Sequence, residues 1–588
     1  MIERFNRIAR GIIFFRHHLS DKQFLIVSSI VVGLLSGGAA VILKSIVHNI
    51  QYWIERYSYE DFFLVIFFPL VGIILTVICI NALWKNNFKK GSAEITYAIT
   101  KKSSQLPLSQ TYSHVITSAL TVGFGGSTGL ESPMVSTGSA IGSNVARAFR
   151  LTYKEKTILL ACGAAAGIAA AFNSPIAGVL FAIEVLLADI SAAAFIPLII
   201  AAATGALLSK IILAEGILLS FVLAQPFDYH NTHYYLLLGL VSGFIALYYA
   251  RSFEFIHQVM KNINRTWLRV GIGGILLALL ILLFPSLLGE GYESIKTLAS
   301  LQTTTLFDRS AVASWITNEY ALLVFLGLVT LLKSVAAAIT IGSGGNGGSF
   351  GPSLFMGAYM GFVFARALNL ALGTDIPEVN FALVGMAGML SGVFYAPLTA
   401  IFLIAEITGG YGLIIPLMIV SAISLAVATY FQPKSMEAKK LAKLLNANID
   451  DRDQYLLSRL DLMQLIETNF MILHPHDNLD ALRKAIAASS RNTFAVTTAA
   501  GDLAGIIQLD DVRQIIFSTE PADSILVKDI MNIPAGQLTL TDNLQTALKK
   551  FDSTGLWNLP VVDGKKYMGF ISKSSLLAKY RNELIRSA

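Results

Sequence analysis

The sequence predicts a polytopic α-helical membrane protein with an inverted internal repeat and broken helices, followed by a cytoplasmic α/β region. Three observations predict this fold class. The 588-residue chain is 54% hydrophobic and 14% charged, with a mean hydropathy of +0.63, whereas soluble proteins carry about 25% charged residues. The long apolar runs lie before about residue 430, and the remainder has an ordinary soluble composition. Finally, two stretches of the apolar part resemble each other.

The N-terminal segment, residues 1–23, is basic and has no apolar core leading to a small-residue cleavage site, so it does not read as a secretory signal peptide. Its arginines are Arg4, Arg7, Arg10 and Arg16. The lysines after the last apolar run are Lys434, Lys439, Lys440 and Lys443. The positive-inside rule then places both termini in the cytoplasm. The net charge of +6 reflects these flanks rather than nucleic-acid binding, and we expect a multi-pass protein of the cell (inner) membrane.

The apolar runs define a membrane domain over residues 24–432. The strong runs are 24–49, 62–83, 157–187, 193–224, 234–250, 270–288, 320–342, 379–407 and 412–431, and weaker glycine-rich ones are 110–146 and 350–372. Several are too short or too interrupted to span a bilayer, which takes roughly 20 apolar residues. Broken helices at membrane depth are tolerated only inside protein or beside a water-filled cavity.

An internal repeat divides this domain into halves, about 24–225 and 234–432. Gly129–Pro133 (GLESP) matches Gly348–Pro352 (GSFGP), and Phe172–Glu184 matches Phe394–Glu406 at nearly the same offset. Interrupted segments at matching positions of two halves are typical of transporters and channels, whose binding sites lie where the halves meet.

The two glycine-rich turns can make an anion site. In each, glycines precede a proline and an apolar helical run, and proline suits the first turn of a helix. The exposed N–H groups of a helix start carry about half a positive charge. Two such starts meeting at membrane depth would bind an anion yet release it easily. Glu131 could occupy the anion position when ionised and leave it when protonated. The alternative is a glutamate that only satisfies its own helix start.

Residues 1–432 resemble the CLC family of chloride channels and proton/chloride exchangers. The landmarks, in family order, are GLESP, GIAAAFNSPIAGVLFAIE, LGEGYESI (Leu288–Ile295) and GGSFGPSLFMGA. The resemblance implies a homodimer in the lipid bilayer with one pore per subunit, which moves chloride and other small anions, without enzymatic activity, cofactor or metal. It implies that Glu131 is the gating glutamate. The anion path it implies runs along Gly129, Leu130, Ser132, Ser349, Phe350 and Gly351.

Two departures from the family pattern affect the expected anion path. Lys89–Glu94 stands where the family has GSGIPE, so either Lys90 or Ser92, on either side of Gly91, touches the anion. Ser435-Met436-Glu437 replaces the family's Ser-Ile-Tyr, whose tyrosine closes the inner end of the pore. Met436 or Glu437 then takes that place, and we expect Glu437 to point to solvent beside Lys439 and Lys440.

A third departure concerns proton coupling. Val185 fills the position of the inner glutamate that proton-coupled members carry. Glu184 lies one residue away, about 100° around a helix, and is expected to make a structural contact, as is Glu406. The sequence therefore favours a gated chloride channel or an uncoupled conductor. The alternative is a proton/chloride antiporter that uses Glu131.

The C-terminal region follows a linker at 433–468 and contains two repeats, about 469–518 and 524–588. Leu503–Val512 matches Tyr567–Leu576, and a strand-like segment precedes each. This resembles a tandem pair of CBS domains, which can bind adenine nucleotides through a Ser/Thr and an Asp three residues apart. Each repeat keeps half of that pair, in Gln508 with Asp511 and in Ser572 with Ser575. A structural or dimer-linking role is therefore expected rather than nucleotide binding.

Other classes of membrane protein find little support. The apolar runs contain no HExxH motif and no paired His/Asp set for an enzyme. A metal-ion transporter would need more intramembrane carboxylates than Glu131, Glu184 and Glu406. Cys79 and Cys162 both lie in apolar runs and offer neither a disulfide framework nor a metal site.

Overall fold

The computed structural model describes the chain except for residues 1–18, 59–61, 85–87, 89, 188–191, 214–220, 222–224, 446–464, 517–524, 541, 543 and 588. Most of the predicted N-terminal segment, and most of the predicted linker, thus lie outside the described residues. The chain divides into two units, Met1–Leu445 and Asn446–Ala588. Each is described by itself.

The first unit is helical. Its helices are α1 (Asp21–Ser58), α2 (Phe62–Val65), α3 (Phe68–Trp84), α4 (Ser92–Lys101), α5 (Gln110–Gly123), α6 (Glu131–Ala148), α7 (Tyr153–Phe172), α8 (Pro175–Phe181), α9 (Ala192–Ile212), α10 (Thr232–Lys261), α11 (Thr266–Leu283), α12 (Tyr292–Ala299), α13 (Glu319–Gly342), α14 (Phe350–Leu372), α15 (Glu378–Phe394), α16 (Pro397–Ile407), α17 (Ile414–Phe431) and α18 (Met436–Leu445). Among the described residues, eight helices are long and apolar enough to cross a membrane. Shorter apolar helices lie between them, which confirms the prediction of a multi-pass membrane protein with broken helices.

The two halves repeat an unusual turn. The C-cap residue of helix α7 is Asn173 (φ 54°), and that of helix α15 is Tyr395 (φ 59°). Both residues have left-handed backbone. A proline, Pro175 or Pro397, follows two residues later in the first turn of the next helix. Left-handed backbone is strained for a bulky residue such as tyrosine. Because this left-handed conformation occurs at corresponding positions of the two halves, the sequence repeat is also a structural repeat.

Glycines bring paired helices of each half into close contact. A Cβ atom on Gly163 of α7 would lie 1.9 Å from the carbonyl oxygen of Gly138 on α6. In the second half, a Cβ atom on Gly385 of α15 would lie 2.4 Å from the carbonyl oxygen of Gly357 on α14. Small residues let helix backbones approach in this way inside membranes. These contacts fix α6 and α14, the helices whose starts form the candidate site.

Helix α18 belongs to the first unit, although its residues fall in the segment 433–468 that the sequence suggests as a linker. It packs against α4. Ser435 begins it, since its hydroxyl oxygen accepts a hydrogen bond from the backbone N–H of Ala438 (3.2 Å). This helix carries Glu437 to the first unit's candidate site.

The second unit contains, within its described residues, two sheets of the same topology. Strands β1 (Ile472–Leu473), β2 (Thr493–Thr497) and β3 (Leu503–Gln508) form one sheet, in which β1–β2 is parallel and β2–β3 antiparallel. Strands β4 (Leu538–Thr539), β5 (Asn558–Asp563) and β6 (Lys566–Ser572) form the other sheet with the same pairing. Helices accompany them: α19 (Leu479–Ala488), α20 (Leu509–Ile516), α21 (Val527–Ile530), α22 (Leu544–Thr554) and α23 (Lys573–Ser587).

Candidate functional site: an anion path between the repeats

The two glycine-rich turns meet in the structure. The N–H of Gly129 donates to the carbonyl of Gly348 (3.1 Å), and the N–H of Gly348 donates to the carbonyl of Gly129 (2.8 Å). A Cβ atom on Gly348 would lie 2.6 Å from Ser132, so only glycine fits this approach. The starts of α6 and α14, one from each half, are therefore held side by side.

Glu131 lies at this junction and is 2% exposed. Its Oε2 accepts a hydrogen bond from the N–H of Gly351 (3.2 Å), in the first turn of α14. Its Oε1 accepts a hydrogen bond from the hydroxyl of Tyr292. Both partners belong to the second half of the chain. The carboxylate thus lies on the opposite helix start, where a bound anion would receive the same N–H donor.

Glu131 lines two cavities that the described residues form. A wide cavity of about 280 Å³ is lined by Leu130, Glu131, Glu290, Tyr292 and, among other residues, Lys44. A narrow cavity of about 20 Å³ is lined by Ser92, Glu131, Ser132, Val135, Ile168, Phe181, Ser349, Phe350, Phe394 and Glu437. Glu131 is the residue that the two described linings share.

Most residues of the predicted anion path come together here. Ser132, Ser349 and Phe350 line the narrow cavity, and Leu130 lines the wide one. Gly129 and Gly351 form the junction itself. The ring of Phe350 packs against the rings of Phe172, Phe181 and Phe394, with centroids 5.6, 6.1 and 5.4 Å away. The polar path therefore has an apolar aromatic wall.

Of the two residues left open by the sequence, Ser92 lines the narrow cavity. Lys90 is not among the described residues that line it. The Lys90 ammonium instead donates to the carbonyls of Gly344 (3.0 Å) and Gly345 (2.8 Å), in the turn that follows α13. Gly91, with φ 95°, makes the turn between them. The assignment of Lys90 to the anion path does not fit this geometry, because its charge is used to close a helix end.

Glu437 does not point to solvent as the sequence suggested. Its Oε2 accepts hydrogen bonds from the Ser92 hydroxyl (2.9 Å) and from the N–H of Ala93 (3.1 Å), at the start of α4. Its Oε1 pairs with the ammonium of Lys440 (3.0 Å), and its side chain is 15% exposed. Two donors at a helix start hold the carboxylate more firmly than water would. Met436 is buried, and the described lining of the narrow cavity includes Glu437 and not Met436.

Glu184 and Glu406 make reciprocal contacts between the halves. Glu184 accepts from the N–H groups of Leu398 (3.0 Å) and Thr399 (2.8 Å), at the start of α16. Glu406 accepts from the N–H groups of Ile176 and Ala177 (both 3.0 Å), at the start of α8. Each carboxylate satisfies orphan N–H groups of the other half's helix.

The position that proton-coupled relatives fill with a glutamate is apolar here. Val185 packs against the hydrophobic core of the first unit. Glu184, its neighbour, is bound to α16 as described and is not among the described residues lining the narrow cavity. Neither Val185 nor Glu184 places a titratable group at the described surface of the narrow cavity.

Sequence reasoning missed four polar residues of the wide cavity and its wall. Glu290 accepts a hydrogen bond from the N–H of Leu130 (3.2 Å), and Tyr292 donates to Glu131. Lys44 donates to the carbonyl of Ala171. Lys333 donates to the carbonyl of Gly289 (2.9 Å) and lies 4.6 Å from the centroid of the Phe355 ring. A single lysine within an apolar run is itself a signal, and that signal was available for Lys44 and Lys333, whereas Glu290 and Tyr292 lie in the segment Leu288–Ile295 just after a run.

In the second unit, the half-pairs of the suggested nucleotide motif have protein partners. The Ser572 hydroxyl donates to Glu467 (2.7 Å) and accepts from the N–H of Ser575 (3.1 Å). Asp511 accepts from the side-chain amide of Asn532 (3.0 Å). A structural role for this region therefore remains our expectation.

Two repeated halves whose glycine-rich helix starts meet beside a buried carboxylate define a membrane transport protein of the chloride-channel class. The family model described as voltage gated chloride channel matches residues 77–429, and the CBS domain model matches residues 527–582. The chain therefore belongs to the CLC family of voltage-gated chloride channels and transporters.

Relatives extend this similarity over most of the chain. A putative chloride channel protein ClcB-like of Ralstonia nicotianae is 30% identical over 368 residues, which cover 60% of this chain and 80% of the relative. The chloride channel protein CLC-e of Arabidopsis thaliana is 26% identical over 572 residues, covering 89% and 76%. The fold is similar to that of a slow cyanobacterial Cl⁻/H⁺ antiporter, with a TM-score of 0.63 and 22% identity over 73% of this chain and 99% of that one.

Proposed function

We propose that this chain transports chloride across the cell membrane as a CLC-type homodimer, in which Glu131 is the gate of an uncoupled chloride conductor. The observation that carries the proposal is the position of Glu131 in the lining of both cavities, on the N–H of Gly351. An ionised carboxylate there competes with chloride for the same donor. A protonated one no longer does, and it frees the passage.

The direction of the path follows from the predicted topology. With both termini in the cytoplasm, the narrow cavity opens toward the cytoplasm, because α18, the last helix of the first unit, contributes Glu437 to its lining. The wide cavity then faces the opposite side. Serine hydroxyls and backbone N–H groups along the path bind an anion without a fixed positive charge, which allows release as well as binding.

Uncoupled conduction is supported by what surrounds Val185. Proton-coupled members of the family carry a glutamate at the position of Val185. Val185 is partly buried and packs against the core, and Glu184 is held by three hydrogen bonds to Leu398 and Thr399. We therefore expect no proton delivery through this position.

A proton/chloride antiporter is the second candidate, and the wide cavity favours it. Tyr292 donates to Glu131, and Glu290 binds the N–H of the adjacent Leu130. On this side, then, Glu131 has a second carboxyl group, Glu290, beside its helix start. A solved structure similar in fold is described as a Cl⁻/H⁺ antiporter.

Flux measurements in liposomes decide between the two candidates. The purified protein is reconstituted, a chloride gradient is imposed, and chloride and proton movements are recorded together. Chloride flux without proton movement is the expected result. Proton uptake against its own gradient that disappears in Glu131→Gln would make the protein an antiporter.

The gate itself is tested by the pH dependence of Glu131→Gln. The amide imitates the protonated carboxyl, so we expect high chloride flux that no longer rises as the pH falls. Wild type should show that rise. An unchanged pH profile in Glu131→Gln would refute the gating role.

A further inference from the structure

We infer that Glu437 is a second carboxylate gate, in series with Glu131, in the lining of the narrow cavity. Its carboxylate acts as a resident anion that chloride has to displace from Ser92 and Ala93. The inference rests on the proposed chloride transport and adds to it a residue that sets the anion affinity of the narrow end.

The geometry around Glu437 is that of an occupied anion position. One carboxylate oxygen accepts both the Ser92 hydroxyl and the N–H of Ala93, at 2.9 and 3.1 Å. Helix α4 begins at Ser92. Its N-cap residue is Gly91, which has no side chain that could accept hydrogen bonds from the first N–H groups of the helix. A hydroxyl and a helix-start N–H are the donors that the path offers to chloride elsewhere. At Ser92 and Ala93 the Glu437 carboxylate accepts the hydrogen bonds of these donors.

Two carboxylates line the narrow cavity. They are those of Glu131 and Glu437, and the cavity volume of about 20 Å³ holds little more than one water molecule. A chloride ion entering this space would meet the negative charge of both carboxylates. When Glu131 moves away, chloride still competes with the Glu437 carboxylate for Ser92 and Ala93, so Glu437 sets the chloride concentration at which the open path conducts.

Glu437 keeps its charge at neutral pH. Burial alone would raise its pKa, but Lys440 and the hydrogen bonds from Ser92 and Ala93 outweigh this and hold the pKa below its ordinary value. The surrounding charged and titratable groups are Lys440 on α18, Tyr249, Glu254 and His257 on α10, Lys90 before α4, and Glu131 on α6. Helix α15, also packed against α18, has Glu378 as its charged residue, in its first turn and paired with Arg366. Chloride concentration rather than mild acid should therefore open this gate.

The test compares Glu437→Gln with Glu254→Gln in the full-length protein. Glutamine keeps the size of Glu437 but loses its charge, so its hydrogen bonds to Ser92 and Ala93 are roughly half as strong. Glu254 lies on α10 and forms an ion pair (2.8 Å) with Lys443, which is on α18 like Glu437. The described lining of the narrow cavity does not include Glu254. The control thus removes a carboxylate from an ion pair of α18 without touching the proposed gate.

Chloride flux is measured as a function of chloride concentration, and chloride binding to the purified protein is measured by calorimetry. For Glu437→Gln we expect about a tenfold rise in apparent chloride affinity, with the pH dependence due to Glu131 retained. Glu254→Gln should behave as wild type. An unchanged or lower affinity in Glu437→Gln, in a wild type that conducts, would overturn the second gate. No chloride flux in wild type would instead refute the proposed function, and the calorimetry would still decide whether Glu437 competes with chloride.

Discussion

At the scale of single residues, the position of Glu131 depends on two partners far away in sequence. The N–H of Gly351 and the hydroxyl of Tyr292 hold its two carboxylate oxygens. A hydrogen bond to a charged group contributes about 1.5–3 kcal/mol. The Tyr292 hydroxyl therefore decides how readily the gate leaves its closed position.

Tyr292→Phe removes this donor and leaves the ring in place. We expect the carboxylate to leave Gly351 more often, and chloride flux at neutral pH to rise by about tenfold, as a loss of roughly 1.4 kcal/mol implies. Flux assays in liposomes measure this. Tyr248→Phe is the matched control, because the Tyr248 hydroxyl binds the carbonyl of Leu331 and not Glu131. Equal fluxes in the two variants would contradict the role of Tyr292.

Anion selectivity should depend on Ser92 and not on Lys90. Ser92→Ala removes a hydroxyl from the narrow cavity and should change the ratio of chloride, bromide and nitrate fluxes. Lys90→Ser removes the ammonium from the carbonyls of Gly344 and Gly345, so it should lower stability and leave those ratios unchanged. A selectivity change in Lys90→Ser alone would reverse the assignment made from the structure.

The sequence predicted the candidate site only where a local pattern carries it. Glycines and prolines around Glu131 and Gly351 predict two helix starts, and the repeat predicts that these two helix starts meet. The partners of Glu437 could not be read in this way, because Ser92 is 345 residues away. Its charge suggested solvent, and the helix start that accommodates it becomes visible only when α4 and α18 pack together.

At the scale of helices, the contact between α6 and α7 determines where the start of α6 lies. It depends on Gly138 and Gly163, whose backbones touch. The corresponding contact of α14 and α15 depends on Gly357 and Gly385. The sequence did not show which helix pairs these glycines join, since that depends on three-dimensional packing.

Gly163→Ala should destabilise the first unit. The added Cβ would lie 1.9 Å from a backbone oxygen, so α6 and α7 have to separate, and overpacking of this kind costs about 1–3 kcal/mol. A thermal unfolding experiment in detergent should show a lower midpoint. Gly327→Ala on α13 is the control, because nothing lies within 4 Å of its added Cβ. Equal midpoints for the two variants would show that the close contact is not needed.

At the scale of the whole molecule, the first unit ends after α18 and not at the last apolar run. Hydropathy placed the boundary near 432, because α18 is amphipathic and basic and carries no apolar run. The structure keeps this helix with the membrane unit through Glu437, Ser92 and Ala93. The strands of the second unit were predictable from their own repeat, since each repeat forms a sheet of the same topology.

Two truncations test this boundary. A chain ending at Leu445 retains α18 and should keep wild-type anion selectivity, with weaker assembly or regulation as the expected loss. A chain ending at Lys434 lacks Glu437 and should show a higher apparent chloride affinity. Flux ratios and chloride titrations in liposomes measure both effects. Altered selectivity in the longer chain would contradict the separation of transport from the second unit.

The reciprocal contacts of Glu184 and Glu406 have a consequence for the origin of the protein. In each half, the first N–H groups of one helix donate to a carboxylate of the other half. Gly129 and Gly348 exchange backbone hydrogen bonds in the same reciprocal way. Neither half is self-sufficient. An ancestor encoded by a single half would have needed a second copy of itself, inserted in the opposite orientation, before any passage existed. Joining both halves in one chain makes that pairing independent of protein concentration.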